Sequence, residues 1–166
     1  MASLILGGGR SIEASVTIRR APADVYAFYR DFRNLPRFLG DVIDVEEVNP
    51  TTSRWTIEGP FKVRVNWLVK VTEESKDKLI RYQTVTWPRS RTYWDIYFGP
   101  GHEPGETEVR EVMKMPFGRS GRLALALIGK FPSKEVRSNL LRLKEIMETG
   151  RVTDTDFAVA GKFTRH

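Results

Sequence analysis

The 166-residue sequence has no cysteine and only two histidines. Without cysteine there is no disulfide, no thiolate nucleophile and no sulfur-ligated metal. His102 sits in a Gly/Pro loop and His166 is the last residue, so a histidine-based metal centre is not expected, and neither Ser120 nor Ser133 has an evident triad partner. No cofactor is expected. Apolar runs stay well short of the ~18–20 residues that a membrane-spanning helix needs. The opening Met-Ala-Ser-Leu-Ile-Leu lacks a basic lead and does not read as a secretory signal, so the expected location is cytoplasmic. Gly7-Gly8-Gly9-Arg10 precedes a strand pattern rather than a helix and is no phosphate cradle.

What remains is an ordinary globular composition, 40% apolar and 29% charged, of a length that suits one domain. Residues 1–10 read as a flexible leader, 11–150 as the folded domain and 151–166 as a polar tail. The net charge of +6 is spread along the chain. Lys62, Arg64, Lys70, Arg81 and Arg110 would share the outer face of the strands with Tyr93 and Tyr97, but Glu58, Glu73 and Asp95 dilute that field. With no recognised motif beside it, nucleic-acid binding is not expected. Peripheral contact with a membrane surface is kept as an option, and the chain is expected as a monomer or weak homodimer.

Period-two alternation of Ile12, Ala14, Val16 and Ile18 marks a strand with one buried face. Pro22 suits a helix start, and Val25, Phe28, Tyr29 and Phe32 then fall at i, i+3, i+4 and i+7. Leu35, Phe38 and Leu39 repeat that face, which predicts a second short helix before Gly40. Strand patterns follow at 42–48, 53–58, 61–73, 78–86, 91–98 and 107–115, parted by turn residues and close enough in sequence to pair antiparallel. Residues 122–131 read as a helical lead-in, Ser133 as an N-cap and 134–149 as a long amphipathic helix carrying Val136, Leu140, Leu143 and Met147, stopped by Gly150. The expected class is α+β: a curved antiparallel sheet of about six to seven strands wrapped around the last helix, with two short helices after the first strand.

Residues from about Ser11 to Gly150 resemble the polyketide cyclase/dehydrase group of the START-like, birch-pollen-allergen-like helix-grip superfamily (SRPBCC). The resemblance rests on Ala21-Pro22-Ala23-Asp24-Val25-Tyr26-Ala27-Phe28-Tyr29-Arg30-Asp31-Phe32 with Asn34-Leu35-Pro36-Arg37-Phe38. Trp55 with Gly59-Pro60, Val65-Asn66-Trp67 leading to Val71-Thr72-Glu73, and the helix end from Leu140 to Gly150 add to it. It implies a helix-grip fold and, since such proteins serve as lipid carriers, quinone chaperones, receptors or aromatase/cyclases, a hydrophobic ligand rather than one activity.

Strand parity selects the candidate site. Polar Lys62, Arg64, Asn66 and Lys70 turn Val63, Val65, Trp67, Val69 and Val71 inward, and the same phasing turns in Trp55, Tyr82, Trp94 and Phe98. With Met113, Met115, Leu140 and Leu143 these would form an aromatic trough for a planar or polyene ligand such as a lipid, quinone or polyketide-like aromatic, although core packing is the plainer reading of any one of them. Glu111 shares the inward face with Val109, Met113 and Met115, where the resembling family usually has an apolar residue. A buried carboxyl must meet a ligand or act as acid/base with a raised pKa, pair with a group such as Arg91 or Tyr82, or be turned outward by a bulge. The readings are therefore a carrier of a hydrophobic small molecule, a cyclase/dehydratase in which Glu111, alone or with Tyr82, moves protons, or a membrane-surface or stress-related domain docking by its basic face and residues 123–131.

Overall fold

A computed structural model of the chain describes residues 3–5, 11–86, 91–116 and 132–163. Among these the sheet has eight strands: β1 (Ser3–Ile5), β2 (Ser11–Ile18), β3 (Val42–Asn49), β4 (Thr52–Glu58), β5 (Arg64–Ser75), β6 (Leu79–Thr84), β7 (Tyr93–Pro100) and β8 (Thr107–Lys114). Their order is β1-β2-β8-β7-β6-β5-β4-β3, a meander from β3 to β8 with β2 returned beside β8. Each neighbouring pair is antiparallel. β1 is the departure from the expected strand count: part of the stretch read as a loose leader pairs with β2, Ser3 opposite Ser15.

Helix α1 (Pro22–Arg30) starts on its proline and buries Val25, Tyr26 and Tyr29. Tyr26 takes an inward place that the helical spacing assigned to Phe28, which lies half-buried against Phe38. The second short helix is a 3-10 turn, Phe32–Arg37, whose first free amide, that of Arg33, is capped by the Asp31 side chain. Helix α2 (Pro132–Thr149) begins one residue before Ser133, the expected cap, and buries Val136, Leu140, Leu143 and Ile146. It ends where Gly150 takes a φ of +77° and returns its amide to the Ile146 carbonyl. The lead-in expected over 122–131 lies outside the described residues.

α2 lies along the inner face of β2. Lys144 donates to the Thr17 carbonyl and pairs with Glu148, which also receives the Arg19 amide and guanidinium. Arg142 is the deepest anchor. It is completely buried, and its guanidinium donates to the carbonyls of Phe38 at 2.7 Å and Asp156 at 2.7 Å and to the Asn139 side chain at 2.6 Å. The polar tail is thereby held: Val159 donates its amide to the Gly40 carbonyl, Thr153 bonds Glu145, and Lys162 donates to the carbonyls of Leu39 and Val42.

Gly40 is where tail, 3-10 turn and α2 converge. A Cβ there would sit 2.6 Å from the Phe157 carbonyl and 2.9 Å from the Arg142 guanidinium. Gly40→Ala is expected to cost about 1–3 kcal/mol in urea unfolding and to make the tail more susceptible to limited proteolysis.

Candidate functional site

The helix grips only part of the sheet. Leu140, Leu143 and Ile146 pack tightly toward β2, whereas the first turns of α2, bearing Pro132, Val136 and Asn139, face a cavity of about 500 Å³. That size lies within the roughly 300–1,000 Å³ of small-molecule sites. Its sheet wall comes from β4 to β8, Leu39 and Asp41 border it from the segment before β3, and Val42 borders it from the first position of β3. β5 overhangs β6: Arg64 pairs with Glu58 on β4, but pairing to β6 begins only at Val69. Val65 on the overhang and Val63 just before it line the cavity and are also exposed at the surface. At the adjoining turn Phe61 is 94% exposed, with a left-handed φ of 59°.

Strand parity found most of the wall. Trp55, Trp67, Tyr82, Trp94, Met113 and Met115 all line the cavity. Trp55 and Trp67 are cross-strand neighbours, Tyr82 stacks on Trp94 at 5.1 Å, and Phe32 meets both Trp55 and Tyr82 edge-on. Such stacked and edge-on pairs hold the wall in place without an occupant.

Three expected contacts do not form. Phe98 points to the closed end and packs on Tyr26 and Tyr29, while Leu140 and Leu143 are consumed by the α2–sheet contact. Parity gave the correct face of strand and helix but not the depth along it. Asp41 and Asn139 border the cavity from a loop and from the helix flank, where no period marks them.

Glu111 is the polar centre of this wall, 4% exposed and facing the cavity. The register is unbroken on both sides of it, with Ala14 opposite on β2 and Ile96 on β7, so no bulge turns it outward. Pairing with Arg91 does not occur: the Arg91 Nε is itself buried without an acceptor among the described residues. No described group donates a hydrogen bond to the Glu111 carboxyl, and burial, aided by the Asp41 carboxylate, pushes its pKa up to about 8. Nearby, the Tyr29 and Tyr82 hydroxyls share a 2.8 Å hydrogen bond. Burial raises both phenols well above their ordinary value, and the Glu111 charge raises them further. Tyr29 was not legible as part of this group, because it arrives from α1 behind the wall.

Outside the sheet, Asp95 bridges Arg81 and Lys114, Arg64 pairs with Glu58, and Arg110 pairs with Glu13 while covering the Tyr97 ring at 4.2 Å. The outer basic residues are thus largely balanced. Among the described residues there is no cluster of potential metal ligands, and no helix is long and apolar enough to cross a membrane.

The Glu111 proton ties the site to stability. Its folded pKa lies above the unfolded value, so the folded chain keeps a proton that the unfolded chain releases between 4.5 and about 8. Stability should fall as pH rises through that window and level off above it. Glu111→Gln is expected to flatten the fall and to be more stable than the parent above about pH 8, by on the order of a few kcal/mol, with little difference at acid pH, read by urea unfolding across pH.

Similar folds occur among solved structures. A Deinococcus radiodurans crystal structure matches with a TM-score of 0.66 at 26% identity, over 84% of this chain and 98% of that one. One from Thermus thermophilus gives 0.65 at 24% identity, over 81% and 94%. A START superfamily protein from Mycobacterium smegmatis gives 0.62 at 11% identity, over 81% and 99%, a likeness of fold alone. No curated protein matches the sequence. The family profile described as polyketide cyclase / dehydrase and lipid transport matches residues 10–148, and the chain, with its helix-grip sheet closed over a cavity, belongs to that family.

Proposed function

We propose that the protein binds or carries a hydrophobic small molecule, with a planar or aromatic body, in the cavity between the sheet and the first turns of α2. The observation that carries this reading is the space of about 500 Å³ walled by Trp55, Trp67, Tyr82 and Trp94 and left unfilled by the side chains of the described residues. Apolar burial at about 25 cal/mol per Å² supplies the affinity, less the cost of ordering the ligand. Lipids, quinones and polyketide-like aromatics all meet the apolar requirement. Val63 and Val65, which line the cavity and are exposed, offer an apolar ligand a foothold at the rim.

A second reading, catalysis of the cyclase/dehydratase type, is favoured by one arrangement. Glu111 holds its proton to about pH 8 beside the Tyr29–Tyr82 hydroxyl pair, which suits a general acid at neutral pH. A carboxyl proton delivered to a ligand carbonyl would leave a carboxylate able to take a proton from an adjacent carbon. The membrane-surface reading has less support, because much of the outer basic face is paired and residues 123–131 lie outside the described part of the chain.

Nile red, an uncharged planar dye, tests the pocket. It is expected to bind with blue-shifted, enhanced emission. Val136→Phe, which fills the cavity from α2, should weaken binding at least about tenfold while shifting the melting temperature by only a few degrees. Unchanged dye affinity in that variant would count against the cavity. Native mass spectrometry of the purified chain should also reveal a co-purifying apolar molecule. With any substrate so identified, Glu111→Gln retaining affinity but losing turnover would favour catalysis over carriage.

A further inference from the structure

Among the described residues, the charged side chains that line the cavity are all of one sign. Asp41, Glu111 and Glu135 line it, and among the described residues no lysine, arginine or histidine does. Asp41 is balanced from behind by Arg142 and Lys162, both close enough for their charges to register its carboxylate. Glu111 has no such balance among the described residues. The described titratable groups facing it are Asp41 from the segment before β3, Tyr82 from β6 and Tyr29 from α1, and none of these carries positive charge. Glu111 is 4% exposed, its carboxyl has no donor among the described residues, and it faces a space walled by Trp55, Tyr82 and Trp94.

Aromatic faces attract a cation placed within about 6 Å of their centroids, most strongly when it is desolvated. A carboxylate in the same dry space completes the attraction. Once Glu111 is ionised, an anionic ligand would meet it and Asp41 instead, a like-charge contact that disfavours binding at a buried interface.

We infer, resting on the small-molecule reading above, that this end of the cavity recognises a positively charged nitrogen on an otherwise apolar or aromatic ligand and turns carboxylates away. In the empty site Glu111 keeps its proton up to about pH 8, so a bound cation must first displace it. Affinity for a permanent cation therefore rises by up to about tenfold per pH unit until that point and is flat above it.

Three probes of one shape test this: naphthylmethyl-trimethylammonium, naphthylmethanol and naphthoate, each titrated against tryptophan fluorescence at about pH 6.5 and about pH 8.5. The cation is expected to bind at least about tenfold more tightly than naphthoate at the higher pH and to weaken at the lower one, with naphthylmethanol little changed. In Glu111→Gln, checked for an intact thermal transition, the cation's pH dependence should vanish and its advantage over naphthoate at the higher pH should fall at least about tenfold. Equal affinity for the three probes, or a preference for the cation that is undiminished in Glu111→Gln, overturns cation recognition while leaving the hydrophobic pocket standing. Absence of binding by all three overturns both.

Discussion

The Arg142 guanidinium decides how this sheet and helix meet. It is buried, and burial lowers its pKa, yet its hydrogen-bonding groups reach two backbone carbonyls and one side-chain amide oxygen rather than a carboxylate. A buried charge satisfied by neutral acceptors is worth more as a positioning device than as a source of net stability. It joins α2 to the end of the 3-10 turn and to the tail at once. Asn139 extends the clamp by accepting the Gly40 amide at 2.9 Å on the side-chain oxygen that Arg142 also holds. With those points fixed, the later turns of α2 lie down on β2 while its first turns face the open part of the trough.

An open trough is a cost to a folded chain, since each missing contact forfeits dispersion energy. The protein confines that cost to one end. Tyr29, Phe38 and Phe98 fill the closed end with edge-on and tilted ring contacts, and the Phe32–Trp55–Tyr82–Trp94 group keeps the open wall from collapsing inward. Glu111 adds a second, separate cost, because a carboxyl with no donor has been placed where burial disfavours its charge. Nothing in the packing around it requires a carboxyl, since its neighbours across the ladder are Ala14 and Ile96. A group that stability does not call for, facing a space that stability does not call for, is the strongest link between this fold and a ligand.

Much of this was legible in the sequence because antiparallel strands with one solvated face write their orientation in period two. Glu111, Met113, Trp55, Trp67 and Trp94 were placed by that rule, and Pro22 and Gly150 marked their helix boundaries for backbone reasons. Parity is silent about depth, which is why Phe98, Leu140 and Leu143 fell on the correct face yet pack in the core. It is equally silent about backbone recognition. Residues 151–163 look like a polar tail because their hold on the domain runs through carbonyls and amides, such as Asp156 to Arg142 and Val159 to Gly40, which no side-chain pattern records. Ser3–Ile5 escaped notice similarly, as three residues are too few to show an alternation.

Asp41 connects the two costly features. It faces the cavity on one side, where its charge helps keep the Glu111 proton in place, and it stands near the Lys162 ammonium and Arg142 on the other. Burial lowers the Lys162 pKa to about 8, and the Asp41 charge opposes that fall. A carboxylate flanked in this way cannot be neutralised from the cavity side without weakening the field that keeps Lys162 charged against the carbonyls of Leu39 and Val42. The electrostatics of the ligand site and the attachment of the tail are therefore not separate properties of this fold. They share one carboxylate, held in a loop that sequence periodicity does not mark, between a 3-10 turn fixed by Arg142 and the first residue of β3.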